Sequence, residues 1–260
     1  MGIYVGIGGW VYEPWRGTFY PKGLPQKREL EYAGARLTGI EINGTYYGSQ
    51  KPESFRKWRE GTPAGFVFTL KGPRFATNRR VLAQSGESVR RFFESGVSEL
   101  KEKLGPVNWQ FMATKAFDAE DFEAFLELLP KKVDGLNIRH AVEVRHESFK
   151  DKAFIELCRK HRVAAVFAAD GGFPLIADVT ADFVYARIMG TQAKEKQGYP
   201  AAALKTWAER CRDWEKGASP KASMLLAPAA AKKKRDVFLF VISGAKEKNP
   251  AAAQGIIAAL

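Results

Sequence analysis

Residues 66–71 read Phe66-Val67-Phe68-Thr69-Leu70-Lys71, and their alternation decides the fold. Successive side chains of a strand point to opposite faces. Phe66, Phe68 and Leu70 therefore share a wholly apolar face. Val67, Thr69 and Lys71 share the other, which turns polar towards its C-terminal end. Four more runs repeat the pattern. Glu41 and Asn43 oppose Ile40 and Ile42, and Asn108 and Gln110 oppose Val107, Trp109 and Phe111. Glu143 and Arg145 oppose Val142 and Val144, and Tyr185 and Arg187 oppose Val184, Ala186 and Ile188.

Working outward, eight runs rich in Val, Ile, Phe and Tyr read as strands: 3–7, 39–43, 66–71, 107–111, 141–145, 163–168, 183–188 and 237–242. Helices are expected between most of them, over 25–37, 52–59, 87–104, 118–129, 150–161, 201–216 and 249–260. The Gly105-Pro106 pair is read as the stop of the third. Segment 198–235 reads as an elaborated crossover. This alternation implies a parallel sheet, and eight units closing on themselves give a single (β/α)8 TIM barrel over residues 1–260. An open doubly wound sheet is the competitor, but no GxGxxG or GxxxxGK(S/T) follows any strand. In a barrel the apolar faces meet the helices and the mixed faces fill the interior. Polar groups late in a strand then gather at the C-terminal mouth, where barrel active sites lie.

The composition is that of a folded chain: 45% hydrophobic and 27% charged over 260 residues. No apolar run approaches the roughly 18 residues of a membrane span, so no membrane association is expected. The opening MGIYVGIGGWVYEPW lacks the basic and apolar regions of a signal peptide. Two cysteines, Cys158 and Cys211, both fall in expected helices and cannot build a zinc framework. A reduced cytoplasmic protein is the expectation. The net charge of +12 points to an anionic substrate or a polyanionic partner, against a merely soluble basic surface.

The motifs VGIGGWVYEPWRGTFYP, GIEINGTYY, TP-x2-F-x-F-x2-K, KLGPVNWQF, AVEVRHESF and FVYARIMG follow in order from about residue 3 onwards. Together they resemble the domain of unknown function 72 family, also called YecE-like. The resemblance implies a TIM barrel and no established activity. It implies site positions at Trp10, Tyr12 and Trp15 after the first strand, and at Glu41, Asn43, Tyr46 and Tyr47 after the second. It adds Lys71, Gln110, then Glu143, Arg145 and His146, then Asp170, and finally Arg187 with Gly190. Ile7, Gly8, Gly44, Asn78, Met112 and Ser243 depart from the family's usual Thr, Ser, Ser, His, Pro and Asn.

Glu41, Lys71, Glu143, Arg145, Asp170 and Arg187 are the catalytic candidates. Trp10, Tyr12, Trp15, Asn43, Tyr46, Tyr47, Gln110, His146 and Gly190 are the substrate-binding candidates. Glu41 and Glu143 have the makings of an acid/base pair for glycoside hydrolysis. Their basic neighbours would keep both ionised and unsuited to donate a proton. A metal would need Glu41, Glu143, Asp170 and His146 to converge, and parity turns His146 away from the mouth; no metal and no cofactor is expected. Lys71, Arg145 and Arg187 suit an anion better, with the aromatics offering flat faces for a sugar or a base. The leading expectation is an enzyme, with a hydrolase or other acid/base reaction, or a binder, for an anionic small molecule such as a sugar-phosphate or nucleotide-like compound. The second is a nucleic-acid-binding or nuclease-like protein, carried by Lys71, Arg74, Arg79, Arg80, Arg90 and Arg91 and by Lys232–Arg235. A non-catalytic partner-binding barrel is the third.

Overall fold

A computed structural model describes residues 2–260. Eight strands in chain order line the barrel: β1 Ile3–Gly8, β2 Gly39–Ile42, β3 Val67–Lys71, β4 Leu104–Gln110, β5 His140–Glu143, β6, β7 Phe183–Ile188 and β8 Asp236–Val241. The sixth comes in two pieces, Ala164–Ala165 and Phe167–Ala169. Its first piece pairs with β5 and its second with β7. All pairings between barrel strands are parallel, and β8 returns to β1. The strand order therefore closes on itself, and the protein is a TIM barrel.

The helices are α1 Glu29–Gly34, α2 Gly44–Tyr47, α3 Pro52–Glu60, α4 Arg74–Thr77, α5 Gly86–Glu94, α6 Ala119–Glu127, α7 Lys152–His161, α8 Ala201–Glu215 and α9 Asn249–Ala259. The single helix expected over 87–104 is a correction. It ends at Glu94, and a 3-10 stretch, Val97–Lys103, follows. Gly96 makes the break with φ near 98°, where an added Cβ would lie 2.8 Å from the Pro52 ring. Gly105 and Pro106 do not stop a helix but lie within β4. The β3–β4 register slips between Phe68 and Leu70, beside them. A bulge is where a strand tolerates a residue lacking an N–H. Among the described residues no helix is long and apolar enough to cross a membrane.

Two apolar clusters follow strand parity. The larger, between strands and helices, takes Ile40, Phe68, Leu70, Trp109, Val142 and Val184. The smaller fills the lower barrel with Val67, Ala141, Val166, Phe183, Tyr185, Phe238 and Phe240. Above these interior residues the same faces carry Glu41, Lys71, Gln110, Glu143 and Arg187. Glycine makes room for the rings: Gly6 pairs with Gly39 across β1 and β2, and a Cβ on Gly39 would already touch the Phe240 ring at 3.7 Å.

His140 opens β5 and is buried. The Trp109 indole, a donor only, donates to its Nδ1 at 3.1 Å. Nε2 must then carry the proton, which it donates to the Pro130 carbonyl 2.8 Å away. Burial pushes His140 down to about 4 from its ordinary 6.5. The unfolded chain thus binds the proton more readily, so stability is intact above pH 6.5 and falls as the pH drops towards 4. At about 1.4 kcal/mol per pH unit, the window costs roughly 3 kcal/mol. Urea denaturation from pH 7 to 4 should show this slope, and His140→Gln should flatten it. An unchanged slope in the variant would assign the acid sensitivity elsewhere.

Candidate active site at the barrel mouth

Strand ends from β2, β3, β4, β5 and β7 bring six of the expected side chains into one hydrogen-bonded cluster. Arg187 is its centre. One Nη donates to Glu41 Oε1 at 2.8 Å. The other donates to Glu143 Oε2, and to Gln110 Oε1 at 3.3 Å. Glu143 Oε1 accepts a fork from Arg145, at 2.9 and 2.7 Å. Lys71 Nζ donates to Gln110 Oε1 and lies 4.7 Å from the centre of the Tyr46 ring. Parity put these groups on facing walls; register decides which of them touch.

Further residues complete the cluster. Tyr185 donates its hydroxyl to Glu41 Oε2 at 2.7 Å and lies 2.9 Å from the Thr69 hydroxyl, which is left to donate to it. Asn108 donates to Glu143 Oε2 at 3.3 Å. Thr45 donates to the Lys71 carbonyl at 2.7 Å, fixing the end of β3. Arg145 lies 4.3 Å from the Phe173 ring centre. Alternation already marked Tyr185, Thr69 and Asn108 as interior. Nothing local in the sequence marks Thr45 or Phe173.

The electrostatics favour ionised carboxylates. Burial alone would raise Glu143, but Arg187, Arg145 and Lys71 outweigh it and hold the carboxyl down at about 2. That suits an acceptor or a counter-ion and disqualifies Glu143 as a proton donor near neutrality. Burial would lower Arg187, but Glu143 and Glu41 keep it firmly charged. Burial and then the Arg187 charge bring Lys71 down to about 8, against the opposing pull of Glu41 and Glu143. Both carboxylates are engaged by arginine. Lys71 has no carboxylate within ion-pairing distance among the described residues, so the cluster carries a surplus positive charge while Lys71 is protonated.

The other expected residues lie apart. Trp15 is fully buried in the outer core, its indole N–H donated to the Lys246 carbonyl at 2.9 Å; this corrects its expected place on a substrate face. Tyr12 packs on Trp15 beneath the Lys246 ammonium. Trp10 packs edge-on against Trp58 and Phe68 and lines a cavity of about 990 Å³ between α1 and α3. Asp170, exposed and with φ near 63°, accepts from the Tyr199 hydroxyl at 3.1 Å. That hydroxyl in turn accepts from Gly190 N–H. A Cβ on Gly190 would lie 2.7 Å from that of Asp170, so these three form a knot of their own. His146 turns to Ser148, accepting its backbone N–H at 3.2 Å. Asn43 is half-buried against Gly8, and Tyr47 is exposed.

Glu123, Glu127 and His161 form a trio of metal-ligand types on α6 and α7, outside the barrel wall. The Lys160 ammonium and His161 already share one Glu123 oxygen, at 2.6 and 3.0 Å. The basic sequence clusters divide between the two ends of the barrel. Arg74, Arg79 and Arg80 follow β3 at the mouth, whereas Lys232, Lys233 and Lys234 are exposed ahead of β8 at the opposite end. Arg90 and Arg91 are paired along α5 with Glu94 and Glu87, and Arg235 is buried.

The family described as "Protein of unknown function DUF72" matches residues 4–260. The UPF0759 protein YecE of Escherichia coli (strain K12) is 29% identical over 150 residues, covering 56% of this chain and 50% of that protein. The chain thus spans about half the length of the curated relatives it matches. A DUF72 family protein of Thermotoga maritima MSB8 superposes with a TM-score of 0.74 at 23% identity, over 99% of this chain and 98% of that one. One from Enterococcus faecalis V583 gives 0.72 at 15% identity, over 99% and 95%. SacUVDE gives 0.55 at 10% identity, over 99% and 97%. These structural likenesses support the fold alone.

Proposed function

Since this chain belongs to the DUF72 family, whose name assigns no activity, we propose a function from its own barrel mouth: it receives the anionic group of a polar small molecule, such as a sugar-phosphate or a nucleotide-like compound. One observation carries this reading. Lys71 is only 6% exposed, yet its charge meets an amide oxygen and an aromatic face and no carboxylate. A buried cation is costly unless a counter-charge reaches it. Arg145, half-buried at the rim, supplies a second cationic fork suited to phosphate or carboxylate oxygens. Tyr46 offers a flat wall beside Lys71 for a ring. Glu41 and Glu143 then orient the arginines rather than exchange protons.

The test is a thermal-shift titration with inorganic phosphate, ribose 5-phosphate and AMP. Wild type should be stabilised by at least one of them. Lys71→Met should weaken that response about tenfold or more, while leaving the Arg187 ion pairs and the unliganded melting temperature in place. Lys71→Arg should retain most of it. The wild-type response should decline as the pH rises through about 8, where Lys71 loses its proton. A wild-type protein indifferent to all three anions would end the proposal.

A further inference from the structure

Two large aromatic side chains stand out in solvent beside the mouth. Tyr47, at the end of α2, is 65% exposed, and Phe75, in α4, is 60% exposed. Exposed single apolar residues are ordinary, but these two share a neighbour. The Arg74 guanidinium carbon lies 5.8 Å from the Tyr47 ring centre and 5.4 Å from that of Phe75. Arg74 is thus bracketed by two rings.

The charge of this surface is unbalanced. Arg74, Arg79 and Arg80 follow within seven residues of one another, and none has a carboxylate within ion-pairing distance among the described residues. Arg79 also carries a buried Nε without a hydrogen-bond partner. It lines a cavity of about 410 Å³ together with Phe75, Thr45, Ser49, Gln50 and Arg91. Pockets of roughly 300–1,000 Å³ hold molecules of nucleotide size. The rings are separated from the lysine run 232–234 by the length of the barrel.

We infer that the surface of Tyr47, Arg74 and Phe75, with the adjoining Arg79 cavity, is a contact site for single-stranded nucleic acid. Unpaired bases stack on exposed rings in any sequence, and arginines track the phosphates between them. Bases held in a duplex have no free face for the rings. An acidic protein would match the charge and leave Tyr47 and Phe75 without a purpose. This site is independent of Lys71, so loss of the small-anion response would leave it untouched.

Fluorescence anisotropy with a labelled oligothymidine tests it, at low and at moderate salt. Binding should weaken steeply with salt. The double variant Tyr47→Ala/Phe75→Ala should lose about tenfold or more in affinity, with its melting temperature unchanged because both rings already face water. Arg79→Gln should weaken binding and reduce the salt dependence. The triple variant Lys232→Ala/Lys233→Ala/Lys234→Ala should bind within about twofold of wild type, and a duplex of equal length should bind more weakly. The inference is overturned by any of three results: no binding at low salt, full binding by the aromatic double variant, or displacement of the oligonucleotide by polyglutamate as readily as by unlabelled oligothymidine.

Discussion

Arg187→Met is expected to lower the free energy of unfolding by about 3–5 kcal/mol at neutral pH. Glu41 and Glu143 are both fully buried, and Arg187 is the group that touches both. Without it Glu143 keeps the Arg145 fork, while Glu41 keeps only the Tyr185 hydroxyl. Methionine fills comparable volume, so the loss reports uncompensated charge rather than a cavity. The pH dependence identifies the cause. In the native protein Glu143 is held at about 2, below its ordinary 4.5. Its contribution is therefore complete above pH 4.5 and is lost as the pH falls towards 2. In the variant, burial is opposed by less positive charge, the carboxyl rises, and protonation relieves it at milder acidity. The deficit relative to wild type should shrink on acidification, and the His140 slope cancels in that difference. Urea denaturation at pH 7 and at roughly pH 4 measures both values. A deficit below about 1 kcal/mol, or one that does not shrink, would show that the mouth holds its carboxylates by other means.

Gly6→Ala is expected to leave little folded protein. The reason is space, not backbone freedom, since Gly6 is absent from the positive-φ residues. A Cβ there would lie 1.8 Å from the Gly39 carbonyl oxygen and 2.7 Å from its carbon. Both atoms are backbone of the paired strand, so no rotamer change relieves the clash. β1 and β2 would have to separate, at a cost above about 4 kcal/mol, a large share of the roughly 5–15 kcal/mol that holds a domain. Gly44→Ala is the control, because its nearest neighbour would be Gln50 Nε2 at 3.7 Å. Far-ultraviolet circular dichroism and soluble yield compare the two. A Gly6→Ala protein melting within a few degrees of wild type would refute the close approach.

The faces of the strands were legible because burial enforces alternation along each run. Glu41, Lys71, Gln110, Glu143, Arg145 and Arg187 each sit opposite an unbroken apolar face, and the structure brings all six together. Their pairing was not legible: whether Arg187 meets Glu41, Glu143 or both depends on register between distant strands. The aromatics were the least readable. Trp15 and Tyr46 look alike in loop sequence, yet one is enclosed by Tyr12, Phe19 and Tyr20 and the other lies beside a buried ammonium. Packing alone distinguishes them. The break at Gly96 was hidden for a related reason. Val97–Lys103 has a composition compatible with a helix, and the close approach to Pro52 comes from a segment more than forty residues earlier.

Strand β6 joins the two ends of the sheet through two short ladders, Ala141 and Val142 on one side and Ala186 to Ile188 on the other. Were residues 164–169 to detach, the remaining strands would still form a continuous sheet from β5 round to β7. Each of those two strands would then present a row of unpaired N–H and C=O groups, a template for joining another chain. Protection from self-association through strand edges therefore rests on one small apolar segment, far from the charges that give the mouth its chemistry.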